Sequence, residues 1–175
     1  MHIAPANPED RDALLALIQS AYRGESSRAG WTTEADLLGG QRTDPEGLDA
    51  IFANPKQTLL AARQDGDLVG CIALTDKGER RHYFGMLTIA PTQQGAGLGK
   101  QLLAVAEARA RDAGSSIMEM WVIKQRADLI AWYQRRGYVA TGRHEPFPMN
   151  DPRFGLPKRD DLEFAVFEKP LRAAQ

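Results

Sequence analysis

A short glycine-rich segment in the middle of the chain restricts the possible folds more than any other feature. It reads Gln94-Gly95-Ala96-Gly97-Leu98-Gly99-Lys100. A pattern typical of a β-strand, residues 81–89, precedes it, and a helical pattern, residues 97–113, follows. Glycines let the backbone approach a bulky anion, and free amides at a helix start favour negative charge. The segment therefore predicts a phosphate-bearing ligand at a strand-to-helix junction; a glycine-rich turn that binds nothing is the alternative.

Two familiar glycine motifs do not match this segment. A phosphate-binding P-loop needs a glycine five positions before its Gly-Lys pair and a hydroxyl residue after the lysine. Gln94 and Gln101 occupy those two positions. The dinucleotide pattern G-x-G-x-x-G would need its last glycine at Lys100, and it normally follows the first strand of its fold. Nucleotide hydrolysis and hydride transfer are therefore disfavoured.

The first third of the sequence predicts one strand followed by helices. A short strand is expected over residues 1–4, and Asn7 is a typical helix N-cap. Apolar residues at helical spacing extend the helix that follows to about Tyr22. A short helix is expected over residues 33–38, ended by two glycines, and a further helix or turn over residues 48–52.

The remaining sequence predicts six strands and two longer helices. The strands are expected over residues 58–63, 68–75, 81–89, 117–123, 138–141 and 162–169, and the helices over residues 97–113 and 127–136. Asp65-Gly66 suits a tight hairpin turn. Residues 142–161 are rich in proline and glycine and are expected to form an irregular loop. This order predicts a mixed α/β sheet in one domain, residues 1–175.

Composition narrows the functional classes. The 175 residues carry a formal net charge of −1, which gives no indication of a basic surface for nucleic acid. No apolar run approaches the roughly 18 residues that cross a membrane, and the first residues do not resemble a signal peptide. The lone Cys71 suits the cytoplasm, and the three histidines are too widely spaced for a metal site.

The glycine segment and its surroundings resemble the GNAT superfamily of N-acetyltransferases. Gln94, Gly97 and Gly99 match the acyl-CoA motif Gln/Arg-x-x-Gly-x-Gly/Ala, and the similarity extends from about Leu59 to Tyr138. The resemblance implies a mostly antiparallel central sheet flanked by helices, with acetyl-CoA as co-substrate. It also implies that CoA contacts ten residues, largely through the backbone. These are Leu87, Thr88, Ile89, Gln94, Gly95, Ala96, Gly97, Leu98, Gly99 and Lys100.

Acetyl transfer to an amine requires proton transfer at both ends of the reaction. The amine attacks only when neutral, and the leaving thiolate is best protonated or hydrogen-bonded. Tyr133 resembles the tyrosine that faces the CoA sulfur in the family, so it is the candidate acid. Glu119, on the strand after the central one, is the candidate base, and Glu79, Glu25, Glu34 or a water chain are alternatives.

Departures from the family pattern leave other functions open. Arg126 and Leu129 stand where many relatives have Asn and Ala, and the central strand lacks an acid. An acyl-CoA-binding sensor or interaction module without catalysis is therefore one alternative, and a transferase for longer acyl groups is another. If the chain is catalytic, direct attack is expected, because Cys71 lies in an apolar strand and is unsuited to carry an acyl group.

The resemblance also implies that the segment between the first helix and the second strand helps to shape the acceptor pocket. Glu25, Arg28 and Trp31 are the candidate substrate-binding residues there, and residues 142–161 could cover the same site. Arginines favour an acceptor that carries a carboxylate or phosphate, since guanidinium binds these groups in a bidentate manner. We expect a primary amine of a small molecule or peptide. Residues 162–169 would allow a homodimer if they form an edge strand.

Overall fold

The computed structural model describes residues 1–172, which form nine strands, four α-helices and four short 3-10 helices. The strands are β1 (His2–Pro5), β2 (Leu38–Gly39), β3 (Gln57–Gln64), β4 (Asp67–Gly78), β5 (Arg81–Ile89), β6 (Ile117–Ile123), β7 (Val139–Pro146), β8 (Leu156–Pro157) and β9 (Glu163–Pro170). The α-helices are α1 (Arg11–Tyr22), α2 (Pro45–Ala53), α3 (Leu98–Asp112) and α4 (Ala127–Gln134). The 3-10 helices are Pro8–Asp10, Glu25–Ala29, Pro91–Gln93 and Pro152–Phe154.

Seven of the strands form one sheet in the order β1-β3-β4-β5-β6-β9-β7. Every neighbouring pair is antiparallel except β5 and β6, which run parallel. Two hairpins connect β3, β4 and β5, and their turn residues take positive φ angles: Asp65 and Gly66 in the first, Glu79 and Arg80 in the second. Such turns match the twist of antiparallel strands. The prediction of a mixed, mostly antiparallel sheet is confirmed.

Helices cover both faces of the sheet because the buried strands carry apolar side chains on both sides. In β4, Cys71 and Ala73 pack with the apolar face of α1, whereas Ile72 and Leu74 pack on the opposite side with α3. The helix α1 presents a stripe of buried residues at helical spacing, formed by Leu14, Leu17, Ile18, Ala21 and Tyr22. The sheet is therefore the middle layer of a three-layer molecule.

The first helical segment begins with the cap that its sequence predicts. The Asn7 backbone amide donates to the Asp10 carboxylate at 3.0 Å, and Pro8 occupies the first helical position. The prediction of a helix from this cap to Tyr22 is confirmed, although its first three residues form a 3-10 turn. The helix over residues 48–52 is confirmed as part of α2.

Two expectations about the less regular segments are wrong. Residues 33–38 form turns that lead into β2, not a helix, because β2 finds a partner in β8. Residues 142–161 are not wholly irregular, since β7 continues to Pro146 and β8 lies near the end of the segment. β9 is not an edge strand: it lies between β6 and β7, so it has no free edge for a dimer.

Candidate active site

The two parallel strands separate halfway along the sheet. β5 and β6 pair only as far as Phe84 and Met120. A bulge in β5 follows, where Met86 takes a φ of 52° and the register against β4 shifts. Within residues 1–172, the end of β5 up to Ile89 therefore has a strand neighbour on the β4 side only. The other side offers backbone groups with which an extended ligand can pair.

A first cavity of about 510 Å³ opens beside this gap, between the ends of α3 and α4. The glycine segment forms one wall, and Gly95 and Gly97 take φ angles of 89° and 81°, which favour glycine. Eight of the ten residues predicted to contact CoA line the cavity. The two others do not: Ala96 lies exposed beside it, and Thr88 is buried with its hydroxyl donating to the Met86 carbonyl at 2.9 Å.

Gln94 lines the first cavity, but its amide group holds the neighbouring loop in place. Its Oε1 accepts hydrogen bonds from the backbone amides of Trp31 and Thr32, at 2.8 and 3.2 Å. Its Nε2 donates to the Thr32 hydroxyl at 2.8 Å and to the Ile89 carbonyl at 3.0 Å. Gly30 packs so closely that a Cβ there would lie 2.4 Å from Gln94. The amide therefore ties the loop after α1 to the glycine segment.

Tyr133 lies in α4 and forms part of the first cavity. Its ring packs among other aromatic rings, with centroids 5.0 Å from Trp132 and 5.8 Å from both Phe84 and Tyr138. Burial raises the pKa of Tyr133 well above its ordinary value, so the phenol remains protonated across the physiological range. A protonated phenol in this position can donate a hydrogen bond or a proton to a group in the cavity.

A second cavity, also of about 510 Å³, lies against the other side of the β5 bulge. Both segments expected to shape an acceptor pocket contribute to it. Its lining includes Arg23, Glu34, Arg42, Tyr83, Gly85, Met86, Trp121, Pro146, Phe147, Pro148, Phe154 and Phe164. Met86 lines this second cavity and the adjacent Leu87 lines the first, so the bulge of β5 contributes to the walls of both cavities.

A group of buried charges borders the second cavity, where Arg23 and Glu34 form part of the wall. Arg23 is 2% exposed, and its Nη1 donates to the Glu34 carboxylate at 2.6 Å. Burial lowers the pKa of Arg23, while Glu34 acts in the opposite direction. Arg126 is 6% exposed, and its Nη1 lies 3.5 Å from the other oxygen of Glu34. The sequence pointed to Arg126 only as a departure from the family pattern, because its partner is 92 positions away along the chain.

Glu119 lies in an ion-pair network that does not form part of either cavity wall. Its carboxylate accepts hydrogen bonds from Trp121 Nε1 at 2.9 Å, Arg143 at 3.0 Å and Arg81 at 3.2 Å. Burial raises the pKa of Glu119, but these three donors outweigh burial, and the pKa lies below its usual value. A carboxylate held in this way is a weak base.

The three candidate acceptor-binding residues are not brought together. Arg28 bonds to Glu25 at 3.0 Å and to Asp36 at 2.8 Å, and the Glu25 side chain is 90% exposed. Neither residue lines a cavity. Trp31 lines the first cavity, where its ring centroid lies 6.3 Å from that of Trp132. Trp31 is therefore placed on the side of the glycine segment, not on the side of the second cavity.

The sequence matches the model of the Acetyltransferase (GNAT) family over residues 13–138, and the chain belongs to this family. It is 29% identical over 138 residues to the aminoalkylphosphonate N-acetyltransferase of Salmonella typhimurium, covering 76% of this chain and 81% of that protein. It is 28% identical over 143 residues to the mycothiol acetyltransferase of Tsukamurella paurometabola, covering 79% of this chain and 48% of that protein. The chain is accordingly an acyltransferase that uses acetyl-CoA.

Solved structures share the fold across the whole chain. The ribosomal-protein-alanine N-acetyltransferase from Brucella melitensis superposes with a TM-score of 0.71 at 21% identity, covering 98% of this chain and 100% of that one. The yncA protein from Salmonella typhimurium, solved with its cofactor acetyl-CoA, gives a TM-score of 0.68 at 19% identity, covering 100% and 96%. The similarity therefore extends beyond the segment that the family model matches.

The residues of the first cavity fit acetyl-CoA. The unpaired side of β5 suits an extended arm that carries amide groups, and the glycine segment at the start of α3 suits phosphates. Acetyl-CoA supplies an acetyl group activated as a thioester. Among the helices within residues 1–172, none is long and apolar enough to cross a membrane. The same residues contain no cluster of three His, Cys, Asp or Glu side chains that could hold a metal ion.

Proposed function

We propose that an amine acceptor binds in the second cavity and directly attacks the acetyl thioester held in the first. The observation that carries this proposal is the bulge of β5, where the adjacent residues Met86 and Leu87 line different cavities. Donor and acceptor would therefore meet at the backbone of one strand without either crossing the sheet. The Leu87 amide is the group that we assign to the developing negative charge on the acetyl oxygen.

The acceptor that we propose is a small molecule with a primary amine. The second cavity has walls on several sides, including Pro146 at the end of β7 and Phe147 and Phe154 from the segment after it. Such a pocket suits a compact ligand. The names of two relatives, the aminoalkylphosphonate N-acetyltransferase of Salmonella typhimurium and the amino-acid acetyltransferase of Ralstonia nicotianae, also refer to small amines.

We assign the role of general acid to Tyr133. Its phenol lines the first cavity and carries a proton, which a departing thiolate there can share through a hydrogen bond. Direct attack needs no acyl group on the enzyme, and burial raises the pKa of the Cys71 thiol to about 12. This lone, buried cysteine also suits the reducing cytoplasm, where we expect the reaction to occur.

For the amine, we propose that Glu34 replaces Glu119 as the carboxylate close to the acceptor. Glu34 is the one carboxylate among residues 1–172 that lines the second cavity. Its carboxylate, which pairs with Arg23 and Arg126, would attract the ammonium group of the acceptor, and the proton would leave through water. We assign Glu119 a structural role, because its ion-pair network joins β6, β7 and β9.

Calorimetry and thiol release together test this function. Acetyl-CoA should bind the purified protein with micromolar affinity, and CoA release should depend on an added amine. Glu34→Gln should raise the KM for the amine more than it lowers kcat, because the carboxylate attracts the ammonium group. Binding of acetyl-CoA without turnover of any amine would favour a sensor, and absence of binding would contradict both functions.

A further inference from the structure

The second cavity contains an arginine, Arg42, that no carboxylate of the described chain balances. Its guanidinium carbon lies 5.5 Å from the centroid of the Tyr22 ring. Among residues 1–172, no carboxylate oxygen lies within 4.0 Å of its side-chain nitrogens. Burial raises the pKa of Tyr22 and of Tyr83, and the positive charge of Arg42 opposes that rise at both. The charge of Arg42 therefore acts within the cavity.

The single carboxylate of this cavity is already paired with other arginines. Glu34 lies 2.6 Å from Arg23 Nη1 and 3.5 Å from Arg126 Nη1. Both Nη atoms of Arg126 are buried, and neither has a hydrogen-bond partner among residues 1–172. Asp128 lies 3.8 Å from Arg126 Nε, but its carboxylate belongs to the side of the first cavity. Glu34 thus cannot also neutralise Arg42, and the cavity has a surplus of positive charge.

Tyr22 connects the Arg42 guanidinium to Leu87 at the bulge of β5. Its hydroxyl donates to the Leu87 carbonyl at 2.5 Å, and its ring lies beside the Arg42 guanidinium. One tyrosine side chain therefore spans the distance from the expected site of acetyl transfer to Arg42. A small molecule whose amine and second functional group are separated by a few bonds can cover a similar distance.

We propose that the acceptor amine also carries an anionic group, a carboxylate or a phosphorus oxyanion, and that Arg42 binds this anion. The inference rests on the proposed function and adds the chemical class of its substrate. A guanidinium group binds either oxyanion through two parallel hydrogen bonds. The surplus positive charge of the cavity would surround the anion. An amine of the same length without an anionic group would therefore lack the strongest contact.

Matched pairs of amines test the proposal. β-Alanine is compared with its neutral amide, and 2-aminoethylphosphonate with propylamine, by measuring kcat/KM from thiol release at saturating acetyl-CoA. We expect at least one anionic amine to exceed its neutral partner by about tenfold or more. The two pairs separate a carboxylate from a phosphonate as the preferred anion.

Variants of Arg42 assign the preference to this residue. Arg42→Gln should lower kcat/KM for the preferred anionic amine about 10- to 100-fold and change that for its neutral partner less than about twofold. Arg42→Lys, which keeps the charge, should retain part of the preference. Arg109→Gln, at an exposed position of α3, is the control and should behave like the wild type.

Two results would overturn the proposal while leaving the proposed function in place. They are equal rates for amines with and without the anionic group, and an anion preference that survives in Arg42→Gln. Failure of acetyl-CoA to bind, seen by calorimetry before any amine is added, or absence of turnover for every amine although acetyl-CoA binds, would contradict the proposed function itself and the proposal with it. Thermal unfolding of each variant checks that a lost preference is not a lost fold.

Discussion

At the scale of single residues, the two neighbouring tyrosines Tyr133 and Tyr138 allow the acid role to be tested. Tyr133 lines the first cavity, and we assign its hydroxyl to the departing thiolate. Tyr133→Phe should lower kcat about 100-fold, because the thiolate would leave without a donor. The dissociation constant of acetyl-CoA should stay within about twofold, since the ring contacts remain. Steady-state kinetics and calorimetry measure the two effects.

Tyr138 provides the matched control because its hydroxyl has a structural partner. It donates to the Glu107 carboxylate at 2.9 Å, and Lys169 bonds the same carboxylate at 2.8 Å. Tyr138→Phe should cost about 1 kcal/mol in the free energy of unfolding and leave kcat unchanged. If both substitutions lower kcat equally, the effect of Tyr133→Phe is one of packing and the acid role is wrong.

Cys71 should remain unreactive while the protein is folded. Burial raises the pKa of its thiol from 9.0 to about 12. At pH 8 the thiolate fraction is then on the order of one in ten thousand in the folded state, against roughly one in ten after unfolding. A thiol reagent should therefore modify Cys71 only in denaturant. Cys71→Ala should retain its turnover rate, and a loss of turnover with a normal fold would favour an acyl-cysteine step over direct attack.

The sequence identified some of these site residues but not others, and the difference has a physical reason. The glycine segment and Tyr133 stand in short motifs, so local spacing was enough to single them out, and the first cavity brings them together. Arg42 and Arg126 depend on contacts between distant parts of the chain, with Tyr22, Glu34 and the second cavity. Neither shows any local pattern that distinguishes it from a surface arginine. Gln94 was found as a motif residue, but its contacts with the loop were not predictable.

At the scale of secondary-structure elements, Gln94 links the loop after α1 to the glycine segment. Gln94→Glu keeps the size of the side chain but replaces the Nε2 donor by a carboxylate oxygen. That oxygen would face the Ile89 carbonyl oxygen at about the 3.0 Å that now separates Nε2 from it. We expect a loss of about 2 kcal/mol in the free energy of unfolding, because two donated bonds disappear. Urea denaturation measures this loss. Gln101→Glu, on the exposed side of α3, should change it by less than about 0.5 kcal/mol.

The long elements and the short strand β1 were predictable from the sequence, whereas the two-residue strands and the strand order were not. α1, α3 and β3 to β6 each have a sustained period of apolar residues, and the expected ranges match within a few residues, except that β4 continues to Gly78. β2 and β8 contain two residues each and exist because they pair with one another. The insertion of β9 between β6 and β7 follows from contacts between distant segments, which periodicity does not report.

At the scale of the whole molecule, acetyl-CoA should stabilise the fold, because the cavity to which we assign it joins β5, α3, α4 and the loop after α1. A ligand at 100 times its dissociation constant adds about 2.7 kcal/mol to the free energy of unfolding. For a chain of this size, 1 kcal/mol raises Tm by about 2–4 °C. Acetyl-CoA should therefore raise Tm by roughly 5–10 °C in a thermal melt.

A substitution at Gly99 can distinguish loss of acetyl-CoA binding from loss of folding. A Cβ there would lie 3.6 Å from Ile89 and 3.7 Å from Trp132, which are ordinary contact distances, so the backbone tolerates a side chain. Gly99→Leu would extend beyond that Cβ into the first cavity. The variant should fold, with a Tm near that of the wild type, and acetyl-CoA should not raise its Tm. Ala104→Leu, on the exposed side of the same helix, should keep the full increase. An undiminished increase in Gly99→Leu would place acetyl-CoA elsewhere.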